Sequence, residues 1–295
     1  MPGPIGPEPI GPAIARVRLS THLRVLRNDR PAAEVARAMH WSLSKLNRIE
    51  NNKVTIQPVE VEALVHHYGV TDPAEIRRLV DLSLVSRRRM WWRDEHEYLD
   101  EDFIGFIAFE NDASHIYGYH ASLLPWPLQT PDYALAMTSS ILRRPIDDPD
   151  VRKVVDVRRK RQETLRDRLD GAFPPRISLV LDEAVLLRPV GGEEVMAAQI
   201  DHLIEMAARP EVEVVVLPFR LGVHPGLGGT FELLTFSEDE DLDVVFIETP
   251  ATGFLLTDAA DTMTFREIMS DLLATDPEGE SLDKALAGAI KALRS

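Results

Sequence analysis

The chain has 295 residues, a formal net charge of −15 and no cysteine. This length exceeds the usual size of one domain, so at least two domains are expected. The lack of cysteine excludes disulfide bonds and thiolate metal sites. No apolar run approaches the length that a bilayer crossing needs, and the acidic balance argues against nucleic acid or anionic lipid as a partner for most of the chain.

The first twelve residues, MPGPIGPEPIGP, carry proline at every second or third position. Proline cannot enter a helix interior or a strand ladder, so a disordered arm is predicted over residues 1–12. The segment also lacks the basic region and the apolar core of a secretion signal. We therefore expect a cytoplasmic protein that does not associate with a membrane.

Two short helices joined by a tight turn are predicted between Ala32 and Asn51. In the first helix the apolar positions recur at helical spacing: Ala32, Val35, Ala36 and Met39. Ser42 can cap the second helix by accepting from an orphan backbone amide. In that helix Leu43, Leu46 and Ile49 are expected to point inward. The outer face is then left with Ser44, Lys45, Asn47 and Arg48, as in a helix-turn-helix that presents side chains to a DNA major groove.

Charge favours this interpretation over a plain helical bundle. Between Ala13 and Pro58 nine basic residues stand against three acidic ones, a formal charge of +6. The rest of the chain must then carry −21. A small basic module on an acidic protein is typical of a phosphate-binding surface.

Further helices are predicted on both sides of this pair, at Ile14–Arg27, Val59–Tyr68 and Ile76–Leu82. Together they predict an all-α domain of five helices over residues 13–86. A connector over residues 87–95 follows, with the sequence RRRMWWRDE. Its two tryptophans are interpreted as packing residues, whereas its arginines fit either phosphate contact or solvation.

The run from Val17 to Val54 resembles the helix-turn-helix of Xre/Cro-like repressors, most specifically over Ser42–Glu50. Four later segments resemble a second region of a large actinobacterial regulator group that includes the WhiJ-like proteins, often described as antitoxin-like: Leu123–Met137, Arg158–Leu165, Leu181–Gly192 and Val214–Leu234. That group usually has glycine where this chain has Trp126. The resemblance implies DNA binding and suggests a small protein partner.

The region from residue 96 to residue 295 mixes helices and strands. A helix is predicted to open at Phe103 and to continue through Tyr119. Strands are predicted at Ile177–Leu181 and Val212–Leu217, and the intervening helix Val195–Ala208 indicates a right-handed parallel crossover. Two more strands, Gly229–Phe236 and Val244–Glu248, form a hairpin across an acidic turn. Further elements are expected at 132–142, 150–169, 254–256, 263–273 and 282–293, which gives an α+β domain with a mixed sheet.

Several groups of residues in this region resemble a catalytic or ligand-binding site but do not match the pattern that such a site requires. The loop Gly222–Gly229 is rich in glycine, but it leads into a strand and has no lysine, so a turn is predicted rather than a phosphate loop. His224 within it could touch a ligand or form a structural hydrogen bond. Asp182, Glu183 and Glu248 stand at strand ends with no motif that supplies a nucleophile. The basic run Arg158–Arg161 is expected to form internal ion pairs. We therefore predict no enzyme activity, cofactor or metal site.

The sequence as a whole predicts a sequence-specific DNA-binding transcriptional regulator that acts on double-stranded DNA as a homodimer. Ser42, Ser44, Lys45 and Arg48 are the candidates for groove and phosphate contacts, with Lys45 as the reader of a base edge. Weaker candidates for contacts to the DNA backbone are Arg18, Arg24, Arg37 and Lys53. The C-terminal domain is expected to sense a small-molecule effector or a small protein partner. The alternatives are an antitoxin-like interaction module that autoregulates through DNA binding, and an enzyme fused to a DNA-binding domain.

Overall fold

The structure, a computed structural model, describes residues 10–94, 99–236, 239–249, 252–276 and 281–293. The chain divides into two compact units, with the boundary between Asp94 and Glu95. Most of the predicted N-terminal arm, residues 1–9, lies outside the described residues. Pro12, which is predicted to lie in the arm, instead opens the first helix, because the first helical position needs no backbone N–H.

The N-terminal unit consists of helices around one apolar core. Their bounds are α1 Pro12–Arg27, α2 Ala32–Ala38, α3 Leu43–Glu50, α4 Pro58–His67 and α5 Pro73–Ser86. Residues from every helix meet in the core, among them Leu23 of α1, Leu46 of α3 and Leu79 of α5, all of which are fully buried. A short 3-10 turn, Trp91–Asp94, follows α5. The predicted five-helix domain is therefore present.

The turn between α2 and α3 is closed by backbone hydrogen bonds. The Trp41 amide donates to the Ala36 carbonyl at 2.8 Å and the His40 amide to the Arg37 carbonyl at 3.1 Å. His40 adopts a left-handed backbone with φ of 55°, a conformation that ends α2 and lets the chain reverse. The turn therefore fixes the angle at which α3 leaves α2.

The C-terminal unit contains a mixed sheet with strand order β3-β2-β1-β4-β5-β6. The strands are β1 His115–His120, β2 Arg176–Asp182, β3 Val212–Leu217, β4 Phe231–Phe236, β5 Asp239–Glu248 and β6 Gly253–Leu256. The first three are parallel to one another, and β4, β5 and β6 continue the sheet as antiparallel neighbours. The predicted parallel connection of β2 and β3 and the predicted hairpin of β4 and β5 are both present. However, β5 begins at Asp239, inside the segment that was predicted as the acidic turn.

Helices complete this unit. They are α6 Glu101–Asp112, α7 Pro131–Leu142, α8 Pro149–Leu169, α9 Ala184–Leu187, α10 Glu193–Ala207, α11 Ala259–Leu273 and α12 Ser281–Leu293. Met269 and Leu272 of α11 pack on a core cluster formed by the sheet. The architecture confirms the predicted α+β domain with a mixed sheet.

The helix predicted from Phe103 through Tyr119 is wrong in its second half. α6 ends at Asp112, and Ala113 has an extended backbone that leads directly into β1. The segment HIYGYH is rich in aromatic residues that favour strands, and it takes the central position between parallel β2 and antiparallel β4. Apolar spacing over a short run did not separate a buried strand from a helix.

Candidate nucleic-acid interface

Helix α3 presents a mainly polar face to solvent. Its N-terminus is capped by Ser42, whose hydroxyl accepts from the Lys45 amide at 3.1 Å. Ser44, Asn47 and Arg48 are exposed, whereas Leu46 and Ile49 are buried. The hydroxyl, amide and guanidinium of this face are groups that hydrogen-bond to base edges and phosphates.

Leu43 does not point into the core as predicted, since 44% of its surface is exposed. It is the first residue of α3, and the buried stripe of the helix comprises Leu46, Ile49 and Glu50. Leu43 therefore lies one turn before the part of α3 that meets the core. An exposed leucine beside Ser44 adds an apolar group of the kind that contacts thymine methyl groups.

Lys45 is half-buried, and its ammonium contacts other residues of the same domain. Its ammonium pairs with the Glu60 carboxylate of α4 and lies 4.3 Å from the centre of the Trp41 ring. Ring faces attract cations, so both neighbours hold the ammonium in one place. Of the two cations of α3, Arg48 is the one that is exposed and has no partner among the described residues.

Two polar contacts anchor α3 to α1. The Arg27 guanidinium donates to Glu50 at 2.7 Å, and only 6% of the Glu50 side chain is exposed. Arg16 donates to the Asn52 side chain at 2.9 Å, immediately after α3. The Glu50 hydrogen bond raises the pKa of Arg27. These contacts fix the position of α3 in the domain.

The predicted backbone-contact residues differ in their surroundings. Arg24, Arg37 and Lys53 are exposed and have no partner in the described part of the chain, whereas Arg18 is half-buried and is not free of interactions. Arg30 donates to the Tyr68 carbonyl at 3.1 Å. The basic surface is therefore smaller than the charge of +6 indicated, because Arg16, Arg27, Arg30 and Lys45 serve internal contacts.

The C-terminal unit holds a buried ion pair between α6 and α8. Arg161 donates to both carboxylate oxygens of Glu110, at 2.9 and 2.6 Å, and each side chain is 7% exposed. The Arg161 guanidinium also lies 4.2 Å from the Trp126 ring centre. The expected internal ion pairs are confirmed for Arg161 and for Arg159, which pairs with Glu163 at 2.7 Å.

Glu232 of β4 lies at the edge of this cluster, 3.9 Å from Arg161. Burial raises its pKa to about 8; Arg161 lowers it, Glu110 and Glu248 raise it, and Trp126 lowers it. A carboxyl group in such surroundings carries a proton at neutral pH. Burial therefore favours the protonated form of Glu232.

His115, Ser178 and Glu213 form a hydrogen-bonded chain across the parallel strands, which the sequence did not indicate. The Ser178 hydroxyl donates to Glu213 at 2.7 Å and lies 3.0 Å from the His115 Nε2. The serine proton is directed to the carboxylate, so Nε2 of His115 must carry the hydrogen that it shares with Ser178. A catalytic triad needs the opposite order, with histidine accepting from serine, and burial lowers the pKa of His115 to about 4, with Arg176 adding to the effect.

The carboxylates singled out at strand ends serve local roles. Asp182 accepts from the Ala184 amide at 2.9 Å, and Glu183 accepts from the Phe219 amide at 2.8 Å. Glu248 is exposed. No group of three or more histidine and acidic residues in the described part of the chain is arranged to hold a metal ion, and no described helix has the length and apolar character needed to cross a membrane.

The loop from Phe219 to Gly229 exposes apolar side chains beside a packed glycine. It contains a 3-10 turn, Pro225–Gly228, and leads into β4. Gly226 lies against the Tyr119 ring, where an added Cβ would come within 2.7 Å of a ring carbon. The apolar side chains exposed along the loop are Phe219 at 59%, Leu221 at 40%, Val223 at 93% and Leu227 at 55%. Several exposed apolar residues in one loop are typical of an interaction surface.

Comparison with known families assigns both units. A family model described as a helix-turn-helix domain matches residues 18–79, and the model of a domain of unknown function, DUF5753, matches residues 103–283. The chain belongs to the DUF5753 family. No curated protein and no solved structure matches this DUF5753 chain. Its helix-turn-helix domain makes DNA the partner of the N-terminal unit and indicates a DNA-binding regulator.

Proposed function

We propose that the protein is a sequence-specific transcriptional regulator that binds double-stranded DNA as a homodimer. The observation that carries the proposal is the capped helix α3, whose exposed Ser44, Asn47 and Arg48 stand at the surface of a helix-turn-helix domain. Two such helices in a dimer read half-sites about 10 base pairs apart.

The candidate contact residues differ in the part of the DNA that their side chains can bind. Arg48 is our candidate base reader, because an exposed guanidinium can donate both hydrogen bonds to the acceptors of guanine. Ser42 and Ser44 lie at the first turn of α3, where hydroxyls and backbone amides reach phosphate. Arg24, Arg37 and Lys53 are candidates for the sequence-independent contacts. Arg18 remains a weaker candidate.

We further propose that the C-terminal domain senses a protein partner. The exposed apolar loop Phe219–Gly229 supports this choice over a small-molecule effector, since an apolar surface of several side chains suits a macromolecular contact. It also supports the alternative function, an antitoxin-like module of the WhiJ-like kind that neutralises its partner and autoregulates through DNA. Co-purification of a stoichiometric small protein with the wild type, and its loss from Val223→Asp, would favour that alternative.

We infer that the C-terminal domain is not an enzyme and uses no cofactor. The reversed order of the His115–Ser178–Glu213 chain supports this, as does the 3% exposure of Ser178, which leaves a substrate no access to the hydroxyl. In a hydrolase assay with activated esters, the wild type and Ser178→Ala should give the same turnover. Turnover that is present in the wild type and lost in Ser178→Ala would contradict this inference.

The regulator function is tested by mapping bound genomic sites. The wild type should occupy sites that share a sequence motif, and the Ser44→Ala/Arg48→Ala double variant should lose them while folding normally. Occupancy that the double variant retains would place the DNA contact elsewhere.

A further inference from the structure

Lys45 is the cation of α3 that contacts its own protein. Its ammonium lies between the Glu60 carboxylate and the Trp41 ring, 4.3 Å from the ring centre. The exposed fractions of the side chains are 38% for Lys45 and 26% for Glu60, so the pair lies at the rim of the domain and not in its core. A lysine at this position would otherwise be a flexible charge beside Arg48.

Glu60 cannot follow Lys45 away from this position. Its second carboxylate oxygen accepts from the Gln57 amide at 3.2 Å, as the third residue of a capping box at the start of α4. Burial raises the pKa of Glu60. This effect is outweighed by the hydrogen bonds from Lys45 and from the Gln57 amide and by the charges of Lys45 and Arg87, so the pKa of Glu60 is lowered. The carboxylate is therefore a fixed negative charge beside the DNA-facing helix.

We propose that Glu60 is a specificity-determining residue that holds Lys45 away from DNA phosphates. This inference rests on the proposed function of α3. A free lysine would add a phosphate contact that is equal on every sequence. Because Glu60 and Trp41 retain the ammonium, binding to arbitrary DNA is weakened, while base reading by Arg48 is unaffected.

The test compares variants of the full chain on a duplex of mixed sequence over a range of salt concentrations. Glu60→Gln keeps an acceptor for the Gln57 amide, so the capping box survives, but it releases Lys45. Its slope of log affinity against log salt should steepen by about 0.9, one phosphate contact, equivalent to about a threefold further change in affinity between 50 and 200 mM salt. Lys45→Met alone should leave the slope unchanged, and the double variant should return to the wild-type slope.

Glu62→Gln is the matched control, because Glu62 is exposed on the same helix and has no partner among the described residues. It removes the same charge without releasing a cation, so its slope should equal that of the wild type. Two results would overturn the proposed role of Glu60 and leave the proposed function intact. One is a Glu60→Gln slope equal to that of Glu62→Gln, and the other is a Lys45→Met slope shallower than that of the wild type. A wild type that binds no duplex at any salt concentration would overturn the proposed function as well.

Discussion

Lys45 and Arg48 lie about one helical turn apart in α3 and differ in what they can do. Arg48 is exposed and unpartnered in the described structure, whereas Lys45, three positions earlier, is paired with Glu60. Sequence alone places both on the outer face, because it does not show what the next helix brings to that face. The base-reading role that the sequence predicted for Lys45 is therefore assigned to Arg48 in our proposal.

Replacing Arg48 with alanine should cost about 1–3 kcal/mol of binding free energy on the preferred site and little on a duplex of mixed sequence, because a base contact is lost. Titration of both duplexes measures the difference. Arg24→Ala is the control and should weaken both duplexes alike. Equal losses on both duplexes for Arg48→Ala would make it a phosphate contact.

Glu232 gives the C-terminal unit a defined pH dependence. Its pKa is about 8 in the folded protein and 4.5 ordinarily, so the folded state binds more protons between these values and this contribution to stability falls as pH rises from 4.5 to 8. Glu232→Gln should therefore raise the free energy of unfolding at about pH 9 relative to the wild type, with a smaller gain at about pH 6.

Urea unfolding at the two pH values measures this effect. The control variant Glu194→Gln, at an exposed residue of α10, should leave the free energy of unfolding unchanged at both pH values. His115 and His120 act in the opposite sense: burial lowers their pKa values to about 4 and about 3, so stability is lost as pH falls below 6.5. A Glu232→Gln variant with the pH profile of the wild type would show that Glu232 is ionised throughout.

At the scale of elements, the sequence predicted the helices around α3 and most of the sheet. Strong apolar periodicity and the cap at Ser42 are local signals, and α3 begins directly after this cap, as they indicate. β1 was missed because its identity depends on pairing with β2 and β4, which are distant in sequence. The sequence predicted an ion pair for Arg161 but not that its partner is Glu110, and it missed the His115–Ser178–Glu213 chain, for the same reason, since each contact joins residues more than 30 positions apart.

The link between α1 and α3 should be important for stability. Glu50→Ala leaves the Arg27 charge without its partner and should destabilise the N-terminal unit by roughly 3 kcal/mol, at the low end for buried pairs because 20% of Arg27 is exposed. Thermal unfolding followed by circular dichroism measures the loss. The control Arg24→Met should be neutral, and a neutral Glu50→Ala would mean that the apolar core alone positions α3.

At the scale of the whole molecule, charge is divided between the units. The helix-turn-helix match makes DNA the partner of the basic N-terminal unit, and we expect the acidic remainder to be repelled by DNA phosphates. Of the cations predicted to contact DNA, Arg24, Arg37, Arg48 and Lys53 are exposed and have no partner among the described residues, and Arg48 is assigned to a base in our proposal.

Binding to a mixed-sequence duplex should therefore weaken with salt with a slope no steeper than about −3 per protomer, since Arg24, Arg37 and Lys53 are the three candidate phosphate contacts and each contributes about 0.9. Fluorescence anisotropy over a salt series measures it. A salt-independent affinity would contradict an electrostatic interface, and a much steeper slope would require cations outside this set.

The most direct measurement is selection of bound duplexes from a random pool by the full-length wild type and by Arg48→Ala. The proposal predicts that the wild type enriches a two-fold symmetric motif with half-site centres about 10 base pairs apart, and that Arg48→Ala loses preference at one position in each half-site. A pool that stays unenriched, or an identical motif selected by both proteins, would contradict the reading of DNA by α3.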